Sequence, residues 1–182
     1  MFCSQFLTRY GSGTVYATAE GVVRVELPDV SRSETARNED RPEYEPSEIT
    51  VRAAGMLQRY FHGEQVDFGG IPVDLGGLPP FRQKILAIIR NIPYGEVSTY
   101  GQVARECGSP SAARAAGGAL ASNPIPIIIP CHRVVASDGR LTGFSAPGGE
   151  KSKMALLHME GVEFKGLLVA KNQMVIHRKP IR

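Results

Sequence analysis

The chain has 182 residues, of which 42% are hydrophobic, and carries a formal net charge of +3. This length predicts one or two domains, and the apolar content is sufficient for a buried core. Three cysteines without a CxxC spacing argue against a disulfide framework and a cysteine-rich zinc site, so we expect a reducing compartment and no bound metal.

The charge of the chain changes sign near Pro80. Residues 1–80 hold 7 Lys and Arg against 12 Asp and Glu, whereas residues 81–182 hold 14 against 6. A basic half is typical of proteins that bind the phosphate backbone of nucleic acid, although a solvated basic face without a partner explains it equally well. We find no apolar run of membrane-spanning length and no secretory pattern in residues 1–10, and we therefore expect a soluble intracellular protein.

The first half of the chain predicts a small α/β unit. Its predicted elements, in order, are two strands joined by a turn at Gly21 (14–18 and 22–27), a long polar loop (31–47), a helix (49–62) and an extended segment (66–75). Ser47 is a candidate cap for the helix and Gly63 a candidate stop. The glycines and prolines of residues 76–80 predict a domain junction.

The second half predicts mainly helices. Residues 81–92 and 99–107 have helical patterns, and a third helix is expected to start with Ser109 as N-cap and Pro110 in its first turn. Two short helices separated by Gly108 indicate a helix-turn-helix. The third helix has almost only small side chains, and Arg114 is its one charge, so it either packs tightly on another helix or approaches DNA, where arginine enters narrow grooves.

Cys131 is the strongest candidate for chemistry. A thiol attacks only as the thiolate, and the adjacent His132 and Arg133 offer a base and a positive field. The apolar residues 125–129 are expected to hold the sulfur at the wall of a core. The alternative is a buried structural cysteine. The neighbouring His-Arg pair and the flanking prolines argue against that alternative.

Six sequence blocks carry a resemblance to a known family. They are residues 93–95 (PYG), 98–104 (STYGQVA), 113–118 (ARAAGG), 123–126 (NPIP), 130–134 (PCHRV) and 158–161 (HMEG). In order and spacing they resemble the O6-alkylguanine-DNA alkyltransferases, also called methylated-DNA–protein-cysteine methyltransferases. The resemblance is good over residues 50–162 and weak over the first 30.

The resemblance implies a two-domain fold and repair of DNA by direct reversal. We expect an α/β domain at 1–78, with a small sheet and a helix in a ribonuclease H-like arrangement, and a mainly α, winged-helix-like domain at 79–182. The alkyl group of O6-alkylguanine, and that of O4-methylthymine, would pass to Cys131. Because the resulting thioether resists water and thiols, each molecule would act once, as a monomer on double-stranded DNA and without a cofactor. Its location would be cytoplasmic, beside the nucleoid in a prokaryote, or nuclear in a eukaryote.

The resemblance also implies a role for each matching residue. Cys131 is the acceptor, His132 takes its proton through a water, and Glu160 orients the imidazole. Asn123 would hold the strand near the thiol, and Tyr100 would donate to the departing guanine. Phe144 and Ser145 would lie in the substrate loop, with the Ser145 N–H reaching O6. The carbonyls of Cys131 and Val134 would accept from the amino group of the base.

The same matching implies how DNA would be held. Arg114 would fill the place of the flipped nucleotide. The helix carrying Ser111, Ala113, Ala115 and Gly117 would press against the minor groove, where long side chains would hold it off. Two alternatives from other classes remain: a protein that binds alkylated DNA without transfer, which resembles this family with the cysteine replaced, and a cysteine hydrolase, which needs an oxyanion hole and turns over.

Overall fold

The chain begins with a three-stranded antiparallel sheet of strand order β1-β2-β3, made of β1(Phe2–Thr8), β2(Gly11–Ala17) and β3(Val22–Glu26). The computed structural model describes residues 1–30 and 44–170, so most of the expected polar loop lies outside the described residues. Strands β2 and β3 match the two predicted strands. Strand β1 was not predicted, because its buried side chains, Cys3 and Phe6, do not alternate with exposed ones.

The pairing of β1 with β2 requires a glycine at one position. Gly13 lies opposite Phe6 in the strand register, and a Cβ atom at Gly13 would stand 2.2 Å from the Phe6 ring. Only a residue without a side chain leaves room for this ring, which is buried and stacks on Phe61 with 6.0 Å between the ring centroids.

Helix α1(Glu48–Phe61) packs across the sheet. It starts at a capping box in which the Ser47 side chain accepts from the Thr50 N–H and the Thr50 hydroxyl accepts from the Ser47 N–H. It ends before Gly63, whose φ of 87° favours glycine. The predicted start and end are therefore correct to within one residue. The buried face contains Ala53, Ala54, Leu57, Tyr60 and Phe61.

Three helices follow: α2(Pro80–Ile89), α3(Tyr100–Glu106) and α4(Ala113–Ala121). The prediction that the third begins at Ser109 and Pro110 was wrong. The Ser109 N–H donates to the Ala104 carbonyl and so closes the end of α3, and the Ser109 carbonyl accepts from the Ala112 N–H in a turn. Ser109 therefore belongs to the end of α3, and α4 starts four residues later without a side-chain cap.

Two pairs of short strands connect segments of the second half of the chain. Strand β4(Ser98–Thr99) pairs in parallel with β5(Val134–Val135), which places the start of α3 beside the residues that follow Cys131. Helix α5(Gly149–Met159) and the hairpin of β6(Phe164–Lys165) and β7(Leu168–Val169) complete the described chain. The fold is a mixture of small sheets and helices.

One hydrophobic cluster runs through both halves of the chain. It includes Phe6, Val15, Leu57 and Tyr60 from the first half and Ile85, Leu86, Ile89, Ile125, Ile129 and Leu156 from the second. A backbone hydrogen bond of 2.8 Å from the Val25 N–H to the Pro124 carbonyl also joins β3 to the loop before Cys131. Within the described ranges, no helix has the length and apolar character needed to cross a membrane.

Candidate active site

The loop before Cys131 is a tight turn rather than a strand. Ile127 has a φ of 71°, which is unusual for a β-branched residue, and strain of this kind is concentrated at functional sites. The Asn123 side chain holds both ends of the turn: its Oδ1 accepts from the Ile125 N–H at 3.0 Å and its Nδ2 donates to the Ile129 carbonyl at 2.8 Å. Asn123 thus fixes the loop that presents the thiol.

Cys131 opens a single 3-10 turn, Cys131–Arg133, and its side chain is 8% exposed. It faces a cavity of about 510 Å³, whose walls include Asn123, Phe144 and Ser145 and, from β3, Arg24 and Glu26. Burial raises the pKa of the Cys131 thiol, while the hydrogen bond from Asn123 and the charge of Lys153 oppose this rise. The thiol is therefore protonated at neutral pH, and nucleophilic attack requires a base.

His132 and Glu160 form a completely buried pair. The His132 Nε2 lies 2.8 Å from the Glu160 Oε1, and the Nδ1 atom is buried without a hydrogen-bond partner among the described residues. Burial lowers the pKa of His132, and the carboxylate opposes this effect. The imidazole is therefore neutral at neutral pH. Because the ionised carboxylate only accepts, Nε2 carries the proton and Nδ1 is the basic atom.

Glu160 caps the C-terminal end of α5 and accepts from several groups. Besides His132, they are the Tyr60 hydroxyl at 2.7 Å, the Arg133 Nε and Nη2 at 2.8 and 2.9 Å, and the Gly95 N–H at 3.3 Å. Burial alone would raise the pKa of Glu160, but His132 and Arg133 hold it far below its usual range. The carboxylate is thus permanently charged and fixed in orientation.

Arg133 does not supply the positive field proposed for the thiol from the sequence. Its guanidinium binds Glu160, donates to the Ile92 carbonyl at 2.7 Å and lies 5.8 Å from the centre of the Tyr94 ring. Its charge is neutralised by Glu160, so it stabilises the carboxylate instead.

Lys153 supplies that positive charge, which was not predicted from the sequence. It is fully buried on α5 and donates to the carbonyls of Val134 and Thr142, both at 2.7 Å. Burial lowers its pKa to about 8. A signal was present: Lys153 lies three, four and seven residues before Leu156, Leu157 and Glu160, which places it on the buried face of the helix.

Two of the four predicted substrate-side residues lie at the cavity, and Tyr100 and Val134 are not among its lining residues. Phe144 and Ser145 line it, and the Ser145 hydroxyl donates to the Ala121 carbonyl. The Tyr100 hydroxyl donates to the Thr142 carbonyl at 2.7 Å, so it shares this acceptor with Lys153. The Val134 carbonyl accepts from Lys153.

Helix α4 has two different faces. Ser111, just before it, and Arg114 and Ala115 within it are exposed, Ala113 and Gly117 are half-buried, and Ala116, Ala119 and Leu120 are buried. Gly117 faces inward, since a Cβ atom there would lie 3.8 Å from the Tyr100 ring. The inner face therefore packs against the core, as one interpretation of the small residues predicts, and the outer face exposes Arg114 beside Ala115; the approach of this face to DNA stays a prediction.

The described residues contain no group of three His, Cys, Asp or Glu side chains that could hold a metal ion. The site instead consists of a thiol, an imidazole, a carboxylate and a buried ammonium. These groups suit proton removal from sulfur followed by attack on an electrophile that enters the cavity.

Comparisons with known proteins agree with this chemistry. Residues 80–162 match the family model of the 6-O-methylguanine DNA methyltransferase DNA-binding domain. A methylated-DNA–protein-cysteine methyltransferase of Haemophilus influenzae is 46% identical over 108 residues, which span 59% of each chain. One from Mycobacterium leprae is 42% identical, over 64% of this chain and 73% of its own. The crystal structure of Mycobacterium tuberculosis OGT in complex with DNA is similar with a TM-score of 0.70 and 33% identity, covering 88% of this chain and 92% of the other.

Proposed function

Because this chain belongs to the methylated-DNA–protein-cysteine methyltransferase family, we propose that it repairs alkylated DNA by moving the alkyl group from O6 of guanine to its own Cys131. The observation that carries the proposal is the buried His132–Glu160 pair directly after Cys131, whose side chain lines a cavity of about 510 Å³. The same reaction would remove the methyl group of O4-methylthymine.

The reaction begins with the proton of the thiol. His132 takes it through a water at Nδ1, and Glu160 stabilises the imidazolium through its bond to Nε2. The charge of Lys153 favours the thiolate that forms. The sulfur attacks the alkyl carbon, an S–C bond forms as the C–O6 bond breaks, and the electron pair leaves with the guanine.

The Tyr100 hydroxyl donates a hydrogen bond to the departing guanine. In the described structure its hydroxyl donates to the Thr142 carbonyl, so it has to turn away from this acceptor to reach the base. Lys153 also donates to that carbonyl, which therefore stays hydrogen-bonded when Tyr100 leaves. The Ser145 N–H and the carbonyls of Cys131 and Val134 hold the base, and Phe144 forms part of the pocket wall.

The DNA side of the proposal rests on α4. Arg114 enters the duplex where the damaged nucleotide has left, and Ser111, Ala113 and Ala115 let the helix approach the minor groove. Gly117 lies on the inner side of the helix, where a Cβ atom would be in ordinary van der Waals contact with the Tyr100 ring, so its position favours packing over contact with DNA. We further propose a ribonuclease H-like domain at 1–78, a winged-helix-like domain at 79–182, and a monomer as the active species.

Stoichiometric transfer tests the function. With an excess of duplex carrying labelled O6-methylguanine, label on the protein is expected to rise to about one equivalent and stop, since a thioether is not hydrolysed. The Cys131→Ala variant should take up none. The Cys107→Ala variant is the matched control, because Cys107 is also buried but lies at the end of α3.

Two outcomes would contradict this function. Release of labelled product beyond one equivalent would indicate a hydrolase with turnover. Tight binding of the damaged duplex without label on Cys131 would indicate a protein that recognises the lesion and does not repair it.

A further inference from the structure

Tyr60 is a residue of the N-terminal half of the chain that contacts the proposed catalytic groups. It lies on α1, it is fully buried, and its hydroxyl is 2.7 Å from the Glu160 Oε1 and 3.4 Å from the His132 Nε2. The two bonded residues are 100 positions apart in sequence.

Packing accounts for the ring of Tyr60 but not for its hydroxyl. The ring makes edge contacts with Phe61, Phe68 and Tyr94, with centroid distances of 5.4, 6.1 and 6.3 Å, and a phenylalanine would make the same contacts. A hydroxyl in such a place is costly unless it is hydrogen-bonded. Among the described residues its partners are Glu160 and His132, so the hydroxyl acts at the carboxylate–imidazole pair.

We propose that Tyr60 is a positioning residue of the alkyl transfer, which holds the Glu160 carboxylate toward His132 and limits the basicity of the imidazole. The proposal rests on the function given above. Three side-chain donors share the Glu160 Oε1: the Tyr60 hydroxyl, the His132 Nε2 and the Arg133 Nη2. Each donor offsets part of the negative charge of the carboxylate. The hydrogen bond that Glu160 accepts from the imidazole N–H is therefore weaker than it would be with fewer donors.

The charged and titratable groups around His132 set the direction of the effect. Glu160 raises the pKa of His132, whereas Arg133 and Lys153 lower it, and the Cys131 thiol is protonated at neutral pH. Tyr94 is close enough to feel the charge of Glu160, but its hydroxyl donates to the Met159 carbonyl at 3.0 Å. Replacing Tyr60 by Phe changes none of these charges and removes one donor from Glu160.

The Tyr60 hydroxyl has two opposite effects on the imidazole. Its bond to Glu160 weakens the carboxylate as a partner of His132, and its contact with Nε2 stabilises the imidazolium. The first distance is 2.7 Å and the second 3.4 Å, so the bond to Glu160 is the stronger interaction. Loss of the hydroxyl should therefore raise the pKa of His132, by about one unit for a charge-assisted bond at a carboxylate with other donors.

An NMR titration of the His132 ring measures this shift directly, with the signal assigned by its absence in His132→Gln. The Tyr60→Phe variant should titrate about one pH unit higher than wild type. The Tyr94→Phe variant is the matched control, because it removes a hydroxyl from the neighbouring ring that does not bond to Glu160, and it should titrate like wild type. 3-Fluorotyrosine at position 60, a stronger donor, should shift the titration downward.

Transfer kinetics give the second readout. On the acidic side of its pH profile, where neutral His132 is limiting, Tyr60→Phe should react about tenfold more slowly than wild type, because the midpoint of the profile moves to higher pH. A structural defect would lower the plateau and leave the midpoint in place.

The proposal is overturned if His132 titrates alike in wild type, Tyr60→Phe and the fluorotyrosine protein. This result does not depend on the transfer reaction. If wild type accepts no alkyl group, the proposed function is contradicted, while the titration still decides whether Tyr60 controls the imidazole.

Discussion

Lys153 shows, at the scale of one residue, how a buried charge can serve a reactive group. Its ammonium makes no ion pair among the described residues, and two backbone carbonyls bind it instead. Desolvation without a counter-ion is expensive, which is why its pKa falls to about 8. The same uncompensated charge lowers the pKa of the nearby Cys131 thiol.

Replacing Lys153 by Met should therefore make Cys131 less reactive. Without the ammonium the pKa of the thiol rises, and we expect alkylation by iodoacetamide at pH 7.5 to slow by about tenfold, the effect of one pKa unit. The difference from wild type should shrink above pH 8, because Lys153 itself loses its proton there. Lys151→Met, an exposed position on the same helix, is the control. Equal rates in all three proteins would exclude an effect of Lys153 on the thiol.

At the scale of elements, α4 separates two tasks between its faces. Ala116, Ala119 and Leu120 are buried on the inner face, and the outer face carries Arg114 next to Ala115. A long cation among small side chains can extend into a groove while the helix backbone stays close to the surface that it approaches. The small residues thus serve the packing of the inner face, and under the proposed function they also let Arg114 reach into the duplex.

Arg114→Ala should slow the repair of duplex DNA by tenfold or more and leave the reaction with free O6-benzylguanine unchanged, since the free base needs no flipping. Single-turnover rates with the two substrates make the comparison. Arg52→Ala, which removes an exposed arginine from α1, should leave both rates as in wild type. A parallel loss on both substrates would show that Arg114 acts on the site and not on the duplex.

At the scale of the whole molecule, the two halves differ in charge but share their interior. The acidic residues 1–80 and the basic residues 81–182 contribute to one hydrophobic cluster. Hydrogen bonds from Val25 to Pro124 and from Tyr60 to Glu160 cross between them. The N-terminal half therefore contacts both the loop before Cys131 and the Glu160 carboxylate.

This continuity predicts one unfolding event for both proposed domains. Calorimetry should give a single transition whose calorimetric and van't Hoff enthalpies agree, because neither half can expose its side of the cluster alone. Val25→Pro, which removes the N–H that bonds to Pro124, should lower the transition temperature of the whole molecule. Two separate transitions in wild type would show that the halves fold independently.

Short sequence patterns predicted some of the helix boundaries correctly. Ser47 and Gly63 predicted the bounds of α1 because a cap and a left-handed glycine act within a few residues. Ser109 and Pro110 were wrong as the start of α4, because Ser109 completes the end of α3 instead. The end of one helix and the start of the next compete for the same residues, and a local pattern does not say which prevails.

The sequence by itself predicted Cys131 and His132 as the reactive pair, since they are neighbours, and it indicated Glu160 and Asn123 through the family resemblance. Only the tertiary structure decided what surrounds them: Lys153 as the cation near the thiol, Arg133 as the partner of Glu160, and Tyr60 as a donor to the same carboxylate. The physical reason is distance along the chain. The helical spacing of Lys153 predicts its burial, but which groups lie beside it depends on how the helices pack, as does a hydrogen bond between residues 100 positions apart.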